Sequence, residues 1–529
     1  MLIDHKPIFG KNVIETLSEG MYDNPLFLFR EYVQNSADAI DAAVRAGLLQ
    51  KDEGQIVVTI DYSQRIITFE DNGIGIPKEQ VNEMLANVGA SHKDRITDKG
   101  FRGIGRLGGL GYCQKVRFET SSKGESVTSI FEWDARNLHE ILVDRNERID
   151  ASELIKRITS TWSKQCDKDK HFFKMSLINI NPQSDELLDV EEVRKYLAMV
   201  APVPFSYERF RFVEDIESFL KENQIELPDE YRICLNGDEI NKGYETPLKI
   251  EGKKDIEIHD VYCKTLTDPN GRLLGWYWFC VSAFDGFLPK KCWQRGLRLR
   301  KANIQIGDAD CLTNHPKRGL ALWKDDRGNS YFIGEIHALD EDLIPNSRRD
   351  YFNQDVACRR FEKALSNEFS DCWDLCRIAS DIRSATRHVR AAEVASDEFS
   401  KKDKDGLFYD KSERDSEAKK LEIAREKAVK AERTIQKIKE KVADQDEESG
   451  QPSPLTTIVE IYATDENKKS ISEKPLTIDK SPKKGFAKAK LNRGERRIIE
   501  IVQKVLSENL SPSEADAIHS EVMKRVAGK

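Results

Sequence analysis

The sequence predicts an α+β fold, because a helix, a hairpin, a second helix, a polar glycine-rich segment and further strands follow one another in its first 190 residues. The hairpin is expected at 55–70, where QIVVTI and IITF have the period of two typical of strands and flank the polar turn DYSQR. The second helix is predicted from Lys78 to Val88, and KVRFETSS is the strand after the glycine-rich segment. We therefore expect one α+β domain that ends near residue 190.

The first long helix is predicted to begin at Asn24 and Pro25, which supply an N-cap and a proline at the first helical position, and to end at Gly47. Its apolar positions recur at spacings of three and four: Leu26, Phe29, Val33, Ala37, Ile40 and Val44. Glu31, Asn35 and Asp38 project from one polar stripe, about a turn apart. The stripe alone is also compatible with a solvated helix face.

Beyond residue 190, RICLNGDEI, IEIHDVYCKTL and GWYWFCVSAF are predicted strands of a second domain, closed by helices between about Val356 and Ala392. From Glu393 the chain is highly charged and contains a heptad seam: Leu421, Ala424, Ala428, Ala431, Ile435, Ile438 and Val442. This segment is expected to self-associate as a short coiled coil or to lie against a domain as a single helix.

The last part of the chain begins with a linker, DQDEESGQPSP, and ends with a helix that Ser511, Pro512 and Glu514 open through a capping box. The chain is predicted to have five segments. The first two are the α+β domain at 1–190 and the second domain at 191–392. The others are a charged helical or coiled-coil segment at 393–445, a linker with a basic stretch at 446–489 and a helical segment at 490–529.

Composition limits the class of protein. The 529 residues are 39% hydrophobic and 33% charged, no apolar run is long enough to span a bilayer, and the first residues lack signal-peptide features, so we expect a cytoplasmic protein. The 10 cysteines form no C-x-x-C pair, which argues against a disulfide framework or a zinc site. A net charge of −8 argues against a protein that coats nucleic acid over its whole surface.

Two glycine motifs follow the helix. Asp71-Asn72-Gly73-Ile74-Gly75 comes directly after the hairpin, and 103–108 satisfies G-x-G-x-x-G. The second motif by itself suggests a dinucleotide-binding fold, but it follows a polar loop instead of a strand and lacks a βαβ unit. The sequence also contains no G-x-x-x-x-G-K-[ST], which excludes a P-loop.

Taken together and in this order, the acid and asparagine on a helix, the D-x-G-x-G motif and the glycine-rich lid resemble the GHKL superfamily of ATPases. YDNPLFLFREYVQNSADAIDAA is most similar to the ninety-kilodalton heat-shock chaperones, whereas GASHK and GFRG are closer to MutL. The resemblance implies an α/β sandwich ATPase domain, an α/β transducer-like domain and a helical C-terminal region, with ATP and Mg²⁺ as cofactors.

The resemblance implies a role for each residue of the polar stripe. Asn35 would bind Mg²⁺ through its amide oxygen while phosphate oxygens and water complete the coordination, and Asp38 would help to orient that site. Glu31 would orient or deprotonate the attacking water, because hydrolysis of the terminal phosphate needs a positioned nucleophile.

The glycine motifs would complete the nucleotide site. Asp71 would accept a hydrogen bond from the adenine amino group, and Gly73 and Gly75 would let the backbone approach the base. Lid residues would contact the phosphates, mainly through backbone N–H groups: Ser91, Lys93, Gly103, Gly105, Gly108 and Gly109. The family's Gly-Thr pair before the next strand is absent here, and the nearest segment is HFFKMSLINI, so adenine selectivity is less secure than phosphate and metal binding.

The second domain resembles the middle or transducer domain of the chaperone-like members in RGLRLRKANIQIGD and FIGEIHALDEDLIPNSRRDYF. In that family a basic residue reaches the terminal phosphate once the lid has closed. The resemblance makes Arg348 or Arg349 the candidate catalytic arginine. A solvated pair of arginines beside Asp350 is the alternative.

The resemblance also implies a homodimeric clamp gated by nucleotide, and the layout of ATPase, transducer and coiled coil is similar to that of the MORC ATPases. Two hypotheses remain open: a chaperone-like remodeller of protein clients, and a nucleic-acid clamp or ATPase subunit of a prokaryotic defence complex. The basic run from Lys480 to Arg497, with eight basic residues and one acid, could contact DNA or RNA or could be a solvated tail. No membrane partner is expected.

Overall fold

The computed structural model describes residues 9–18, 24–88, 105–252, 254–313, 320–449, 453–463 and 486–527. The chain forms two compact units, Met1–Ser282 with Gly286–Trp373, and Ala283–Asp285 with Asp374–Lys529. Within the described ranges, no helix has both the length and the apolar character that a membrane crossing requires. The predicted α+β class is confirmed, because the first unit contains two sheets with helices and the second unit is mostly helical.

The first sheet has eight strands and is mainly antiparallel. Its spatial order is β5-β4-β3-β6-β2-β1-β7-β8. The predicted hairpin is confirmed, with Val58 of the first strand opposite Phe69 of the second. The strands are β1 Gln55–Asp61, β2 Ile66–Asp71, β3 Cys113–Ser121, β4 Val127–Asp134, β5 Thr159–Gln165, β6 Phe172–Ile180, β7 Arg232–Leu235 and β8 Asp238–Glu239.

The assignment of RICLNGDEI to the second domain is wrong in one respect. Its strand β7 pairs in parallel with β1, with Ile56 opposite Ile233 and Val58 opposite Leu235. The first sheet therefore takes up residues well past 190. The sequence of a short apolar strand does not specify which strand it pairs with. The pairing of β7 with β1 could therefore not be predicted from the two-residue hydrophobic period alone.

Helices α1 to α7 belong to the first unit. The helix that carries the polar stripe packs its apolar face on the first sheet, with the rings of Phe29 and Phe69 5.3 Å apart. The helices are α1 Asn12–Ser18, α2 Phe27–Arg45, α3 Val81–Ala86, α4 Ala135–Val143, α5 Ala151–Ile158, α6 Val190–Val200 and α7 Val213–Glu222.

The ends of α2 differ slightly from the prediction. The helix begins at Phe27 instead of Pro25, and the Asn24 side chain accepts a hydrogen bond from the N–H of Leu26 at 2.9 Å. At the other end, Gly47 donates to the carbonyl of Val44 and Leu48 donates to that of Ala43, which is the Schellman pattern. The predicted second helix is a single 3₁₀ turn followed by α3.

The second sheet has the order β12-β11-β13-β10-β9. Trp278, on the strand Leu273–Val281, is fully buried, and the centroid of its ring lies 4.9 Å from that of Tyr244 and 5.5 Å from that of Phe210. The strands are β9 Asp260–Thr267, β10 Leu273–Val281, β11 Gly296–Lys301, β12 Ile304–Gln305 and β13 Ile333–Ala338.

Long helices dominate the second unit. The predicted helices between 356 and 392 are one helix that continues to 405, and a connection at 406–410 leads to the next. The helices are α8 Val356–Asp405, α9 Lys411–Ser449, α10 Pro454–Ala463, α11 Ala487–Lys490, α12 Arg493–Asn509 and α13 Pro512–Ala527. The capping box predicted at the last helix is only half formed. The Glu514 carboxylate accepts from the N–H and the hydroxyl of Ser511, but the N–H of Glu514 donates to the main-chain carbonyl of Ser511 instead of its side chain.

The heptad seam of α9 packs against α8 of the same chain. Four seam residues of α9 cluster with three apolar residues of α8. The α9 residues are Ala424, Ala428, Ala431 and Ile435, and the α8 residues are Ala385, Val389 and Ala392. Ala428 is completely buried. Arg414 and Asp403 form a buried ion pair of 2.8 Å beside the connection. Small seam residues therefore allow a close helical hairpin within one chain, and self-association of this segment stays a prediction.

Candidate active site

One face of α2 carries the predicted polar residues, and they are largely buried. Glu31 is 8% exposed and Asp38 is 4% exposed, while Asn35 is half-buried. A solvated helix face would leave such side chains in water, so the solvent-facing alternative for this stripe is wrong. Buried carboxylates are stable only when polar or charged groups compensate them.

Gln34 lies on the same face of α2, although the predicted polar stripe does not include it. It is 1% exposed, and its Oε1 has no hydrogen-bond partner among the residues that the structure describes. An unsatisfied buried acceptor costs about 1–3 kcal/mol, so a polar partner at this atom would be stabilising. The spacing of three from Glu31 and four to Asp38 could have identified it.

Arg30 is the immediate charged neighbour of Glu31. Its side chain is completely buried, and its Nε and Nη2 lie 3.4 and 3.3 Å from Oε1 of Glu31. The guanidinium also lies 4.6 Å from the centroid of the Phe27 ring. The helix thus supplies both the candidate acid and the cation that compensates its charge.

The same guanidinium binds the loop that carries the two predicted arginines. Nη2 of Arg30 donates to the carbonyl of Arg348 at 3.3 Å, and Nη1 donates to that of Arg349 at 3.4 Å. The carbonyl of Arg349 also accepts from the N–H of Gly307 at 2.8 Å. This arrangement brings residues more than 300 positions apart in sequence next to Glu31.

The two arginines have different environments. Arg349 is 9% exposed and has a φ of 53°, in the left-handed region, whereas the side chain of Arg348 is exposed. A buried side chain on a constrained backbone has little freedom to move toward a ligand. Arg348 is therefore the better candidate to reach a bound phosphate.

The motif that follows the hairpin forms a tight turn against α2. Asp71 is 2% exposed, and its Oδ1 accepts a hydrogen bond from the N–H of Gly73 at 3.0 Å. A Cβ on Gly73 would lie 2.6 Å from the carbonyl carbon of Ala39. Gly75 has a φ of +69°, and a Cβ there would lie 2.1 Å from the carbonyl oxygen of Ser121. Protein backbone packing alone therefore requires glycine at both positions.

His171, which the sequence does not predict as a site residue, contacts the turn at Gly73. Its Nδ1 lies 2.8 Å from the carbonyl oxygen of Gly73, and because a carbonyl only accepts, Nδ1 must carry the proton. The same peptide group donates through the N–H of Ile74 to the carbonyl of Ala39 at 3.0 Å. His171 is the first residue of HFFKMSLINI, the segment that stands where the family has its Gly-Thr pair. In this chain His171 therefore fixes the turn at Gly73.

The glycine-rich lid is described in part. Ser91, Lys93 and Gly103 lie outside the described residues. Residues Gly105–Gly111 form a 3₁₀ helix, in which a Cβ on Gly105 would lie 2.9 Å from Oε2 of Glu31. Gly108 is buried, and Gly109 packs against Tyr32 and Leu177, where a Cβ would lie 2.6 Å from the tyrosine hydroxyl. The described end of the lid thus borders the candidate acid.

A second buried charge cluster lies on β11 and β13. Glu335 is completely buried and contacts Arg300 Nε at 2.6 Å, Lys242 Nζ at 3.2 Å and His337 Nε2 at 3.0 Å. Burial alone would raise the pKa of Glu335, but the charges of Arg300 and Lys242 hold it well below its usual value. Burial lowers the pKa of Lys242 to about 8 and that of His337 to about 4.

The chain is similar to a known protein family in the region of the site. Residues 28–171 match the family described as Histidine kinase-, DNA gyrase B-, and HSP90-like ATPase. This range contains the polar face of α2, the Asp71 turn and His171, and it ends before β6. The match therefore covers the polar face of α2, the Asp71 turn and His171, whereas the loop of Arg348 and Arg349 lies outside it.

Similar proteins include several called chaperone protein HtpG. The protein of Burkholderia lata is 25% identical over 156 residues, which is 26% of this chain and 25% of the relative. That of Clostridium botulinum strain Langeland is 23% identical over 249 residues and covers 40% of each chain. That of Francisella tularensis subsp. novicida is 26% identical over 145 residues, with 24% and 23% covered. The chain thus spans about a quarter to two fifths of the length of these relatives.

Proposed function

We propose that this chain, whose residues 28–171 form a GHKL-type ATPase domain resembling the HSP90 family, is a magnesium-dependent ATPase. The observation that carries the proposal is the position of Glu31. It is a buried acid on the polar face of α2, next to the backbone of Gly105 and joined by Arg30 to the loop of Arg348. An acid that positions water, a glycine-rich backbone that binds phosphate and a cation that stabilises the phosphate charge are groups that catalyse phosphoryl transfer to water.

A nucleotide and a magnesium ion fit the polar face of α2. A polar ligand there would satisfy the buried Oε1 of Gln34. Among the described residues, no group of three or more His, Cys, Asp or Glu side chains could hold a metal. A magnesium ion at Asn35 would therefore take its other ligands from phosphate oxygens and water, with Asp38 helping to orient the site. Such an ion would neutralise the charge that develops on the phosphates.

Glu31, Arg30 and Arg348 would have separate roles at the terminal phosphate. Glu31 would orient a water molecule and accept its proton while the bond between the last two phosphates breaks. Arg30, which holds Oε1 of Glu31, would set the direction of the carboxylate. Arg348, exposed on a loop that Arg30 holds, would place its guanidinium against the phosphate oxygens.

The base would lie at the turn after β2. The Asp71 carboxylate, oriented by the N–H of Gly73, would accept a hydrogen bond from the adenine amino group. His171, which holds the carbonyl of Gly73, would keep the turn in place without the family's Gly-Thr pair. Lid residues would contact the phosphates from Ser91 to Gly109.

We further propose a cytoplasmic, chaperone-like remodeller of protein clients that works as a homodimeric clamp. The names of the relatives support the chaperone-like part, because each is called a chaperone protein. Binding of ATP would close the lid and favour association of two chains, and hydrolysis would reverse it.

The nucleic-acid hypothesis has less support from the described residues. Two basic groups of the run Lys480 to Arg497 contact their own chain: Lys488 lies 3.1 Å from Glu500, and Lys490 donates to the carbonyl of Asp405 at 3.3 Å. The beginning of the run, before residue 486, lies outside the described residues. Contacts within the chain reduce the charge available for phosphates.

The Glu31→Ala variant tests the proposal. It should bind ATP and accumulate a closed dimer without turnover, because binding does not require the acid whereas hydrolysis does. Phosphate release and analytical ultracentrifugation with ATP and Mg²⁺ would be compared with the wild type and with Glu222→Ala, an exposed acid on α7. Normal turnover in Glu31→Ala would exclude Glu31 from its role, and a wild type without magnesium-dependent turnover would refute the ATPase itself.

A further inference from the structure

Tyr196 of α6 connects that helix to the start of α2. Its ring stacks on the ring of Phe27, with centroids 6.5 Å apart and planes inclined by 29°. The same Phe27 ring lies 4.6 Å from the guanidinium carbon of Arg30. The three side chains form a series that ends beside Glu31.

The hydroxyl of Tyr196 is buried and has no hydrogen-bond partner among the residues that the structure describes. Burial raises the pKa of the phenol, and although Arg30 opposes this shift, Glu31 adds to it. The phenol is therefore neutral at physiological pH and keeps its proton for donation. A buried donor without an acceptor is costly, and such groups in native proteins require a specific explanation.

The position of α6 is itself held from the second sheet. Nη2 of Arg300 donates to the carbonyl of Met199 at 2.5 Å, and Nη1 donates to that of Ala201 at 3.5 Å. These are carbonyls at the C-terminal end of α6, which a cation stabilises. Glu335 compensates the charge of Arg300 from the other side. The helix thus cannot shift easily, and the Tyr196 hydroxyl keeps a defined place.

The acceptor capacity of Glu31 is only partly used by Arg30. Both hydrogen bonds go to Oε1, and at 3.3 and 3.4 Å both are long. An ionised carboxylate has about four acceptor positions. If Arg348 moves toward a bound phosphate, the loop that shares the Arg30 guanidinium moves with it, and Glu31 needs another donor to keep its direction.

We infer that Tyr196 is a positioning residue whose hydroxyl donates a hydrogen bond to the Glu31 carboxylate in the nucleotide-bound state. This inference rests on the proposed ATPase function. The bond orients the acid toward the attacking water while the arginine loop engages the phosphate. It contributes to turnover and not to the binding of ATP.

The test is the Tyr196→Phe variant, which keeps the ring stacked on Phe27 and removes only the hydroxyl. Loss of a hydrogen bond to a charged group should lower kcat about tenfold or more and leave the KM and the dissociation constant for ATP unchanged. The melting temperature should stay equal or rise, because a buried unpaired hydroxyl is removed. Tyr207→Phe, which removes an exposed hydroxyl on the same unit, is the matched control and should match the wild type.

Wild-type kcat in Tyr196→Phe would overturn the inference while leaving the ATPase proposal intact. A fall in kcat that comes with weaker ATP binding or a lower melting temperature would also overturn it, because packing would then explain the effect. A wild-type protein without ATP turnover would overturn the proposed function and, with it, this role of Tyr196.

Discussion

Replacement of His171 tests whether the turn at Gly73 prepares the site for the nucleotide. The imidazole donates through Nδ1 to the Gly73 carbonyl at 2.8 Å, and Gly73 is buried against Ala39 of α2. Without this donor the carbonyl is unsatisfied, which costs about 1–3 kcal/mol. In the free variant the turn would relax to pair that carbonyl, and ATP binding would have to restore it. At about 1.4 kcal/mol for each factor of ten, the lower part of that range weakens ATP binding about tenfold.

Two amide variants separate the hydrogen bond from the shape of the ring. In His171→Asn the amide nitrogen can occupy the place of Nδ1, whereas in His171→Gln it extends to the region of Nε2. Titration calorimetry with ATP and Mg²⁺ should therefore give nearly wild-type affinity for the Asn variant and about tenfold weaker binding for the Gln and Ala variants. His259→Ala, an exposed histidine of the same unit, should bind as the wild type does.

Two results would contradict this reasoning. Wild-type affinity in His171→Ala would mean that the turn keeps its conformation without the imidazole. Equal affinities of the Asn and Gln variants would mean that the Nδ1 bond does not set the position of Gly73.

Three further outcomes follow from the burial of other groups. Arg348→Ala should lower kcat about a hundredfold without changing the melting temperature, because its side chain is exposed. Arg349→Ala should lower the melting temperature, because it removes a buried side chain. The opposite pattern would mean that Arg349 is the arginine that contacts the phosphate. The pKa of His337 is depressed to about 4, so between pH 6.5 and about 4 the unfolded state binds a proton that the folded state does not, and the free energy of unfolding falls on acidification. The His337→Phe variant should lose up to about 3 kcal/mol less stability over this range. Denaturant titrations at several pH values would measure the difference. Ala428→Leu should lower the melting temperature of the helical signal by circular dichroism, because the helix interface has no room for the larger side chain, and an unchanged transition would argue against this packing.

The local features of the site followed from spacing alone. Glu31, Asn35 and Asp38 share a helix face because of the 3.6-residue period, and the Asp71 turn follows a hairpin with a clear period of two. The match of residues 28–171 to an ATPase family confirms the superfamily that these motifs resembled. Gln34 belonged to the same stripe and could have been included by the same argument.

The contacts between distant segments did not follow from spacing. β7 pairs with β1 across more than 170 residues, and four residues of the α9 seam pack against α8. A strand or a seam specifies that one face must be covered, but several partners can cover it equally well. The choice depends on loop lengths and on packing of the whole unit.

The sequence by itself determined the fold class, the ATPase superfamily and the polar face of α2, because helix and strand periods decide which side chains lie together within one element. Only the tertiary structure decided that Arg30 joins Glu31 to the carbonyls of Arg348 and Arg349, and that His171 holds Gly73. These contacts link residues 98 to 319 positions apart. Buried polar groups form hydrogen bonds with whichever groups the folded chain brings near them. A local sequence pattern does not specify those partners, because they lie far away in the sequence.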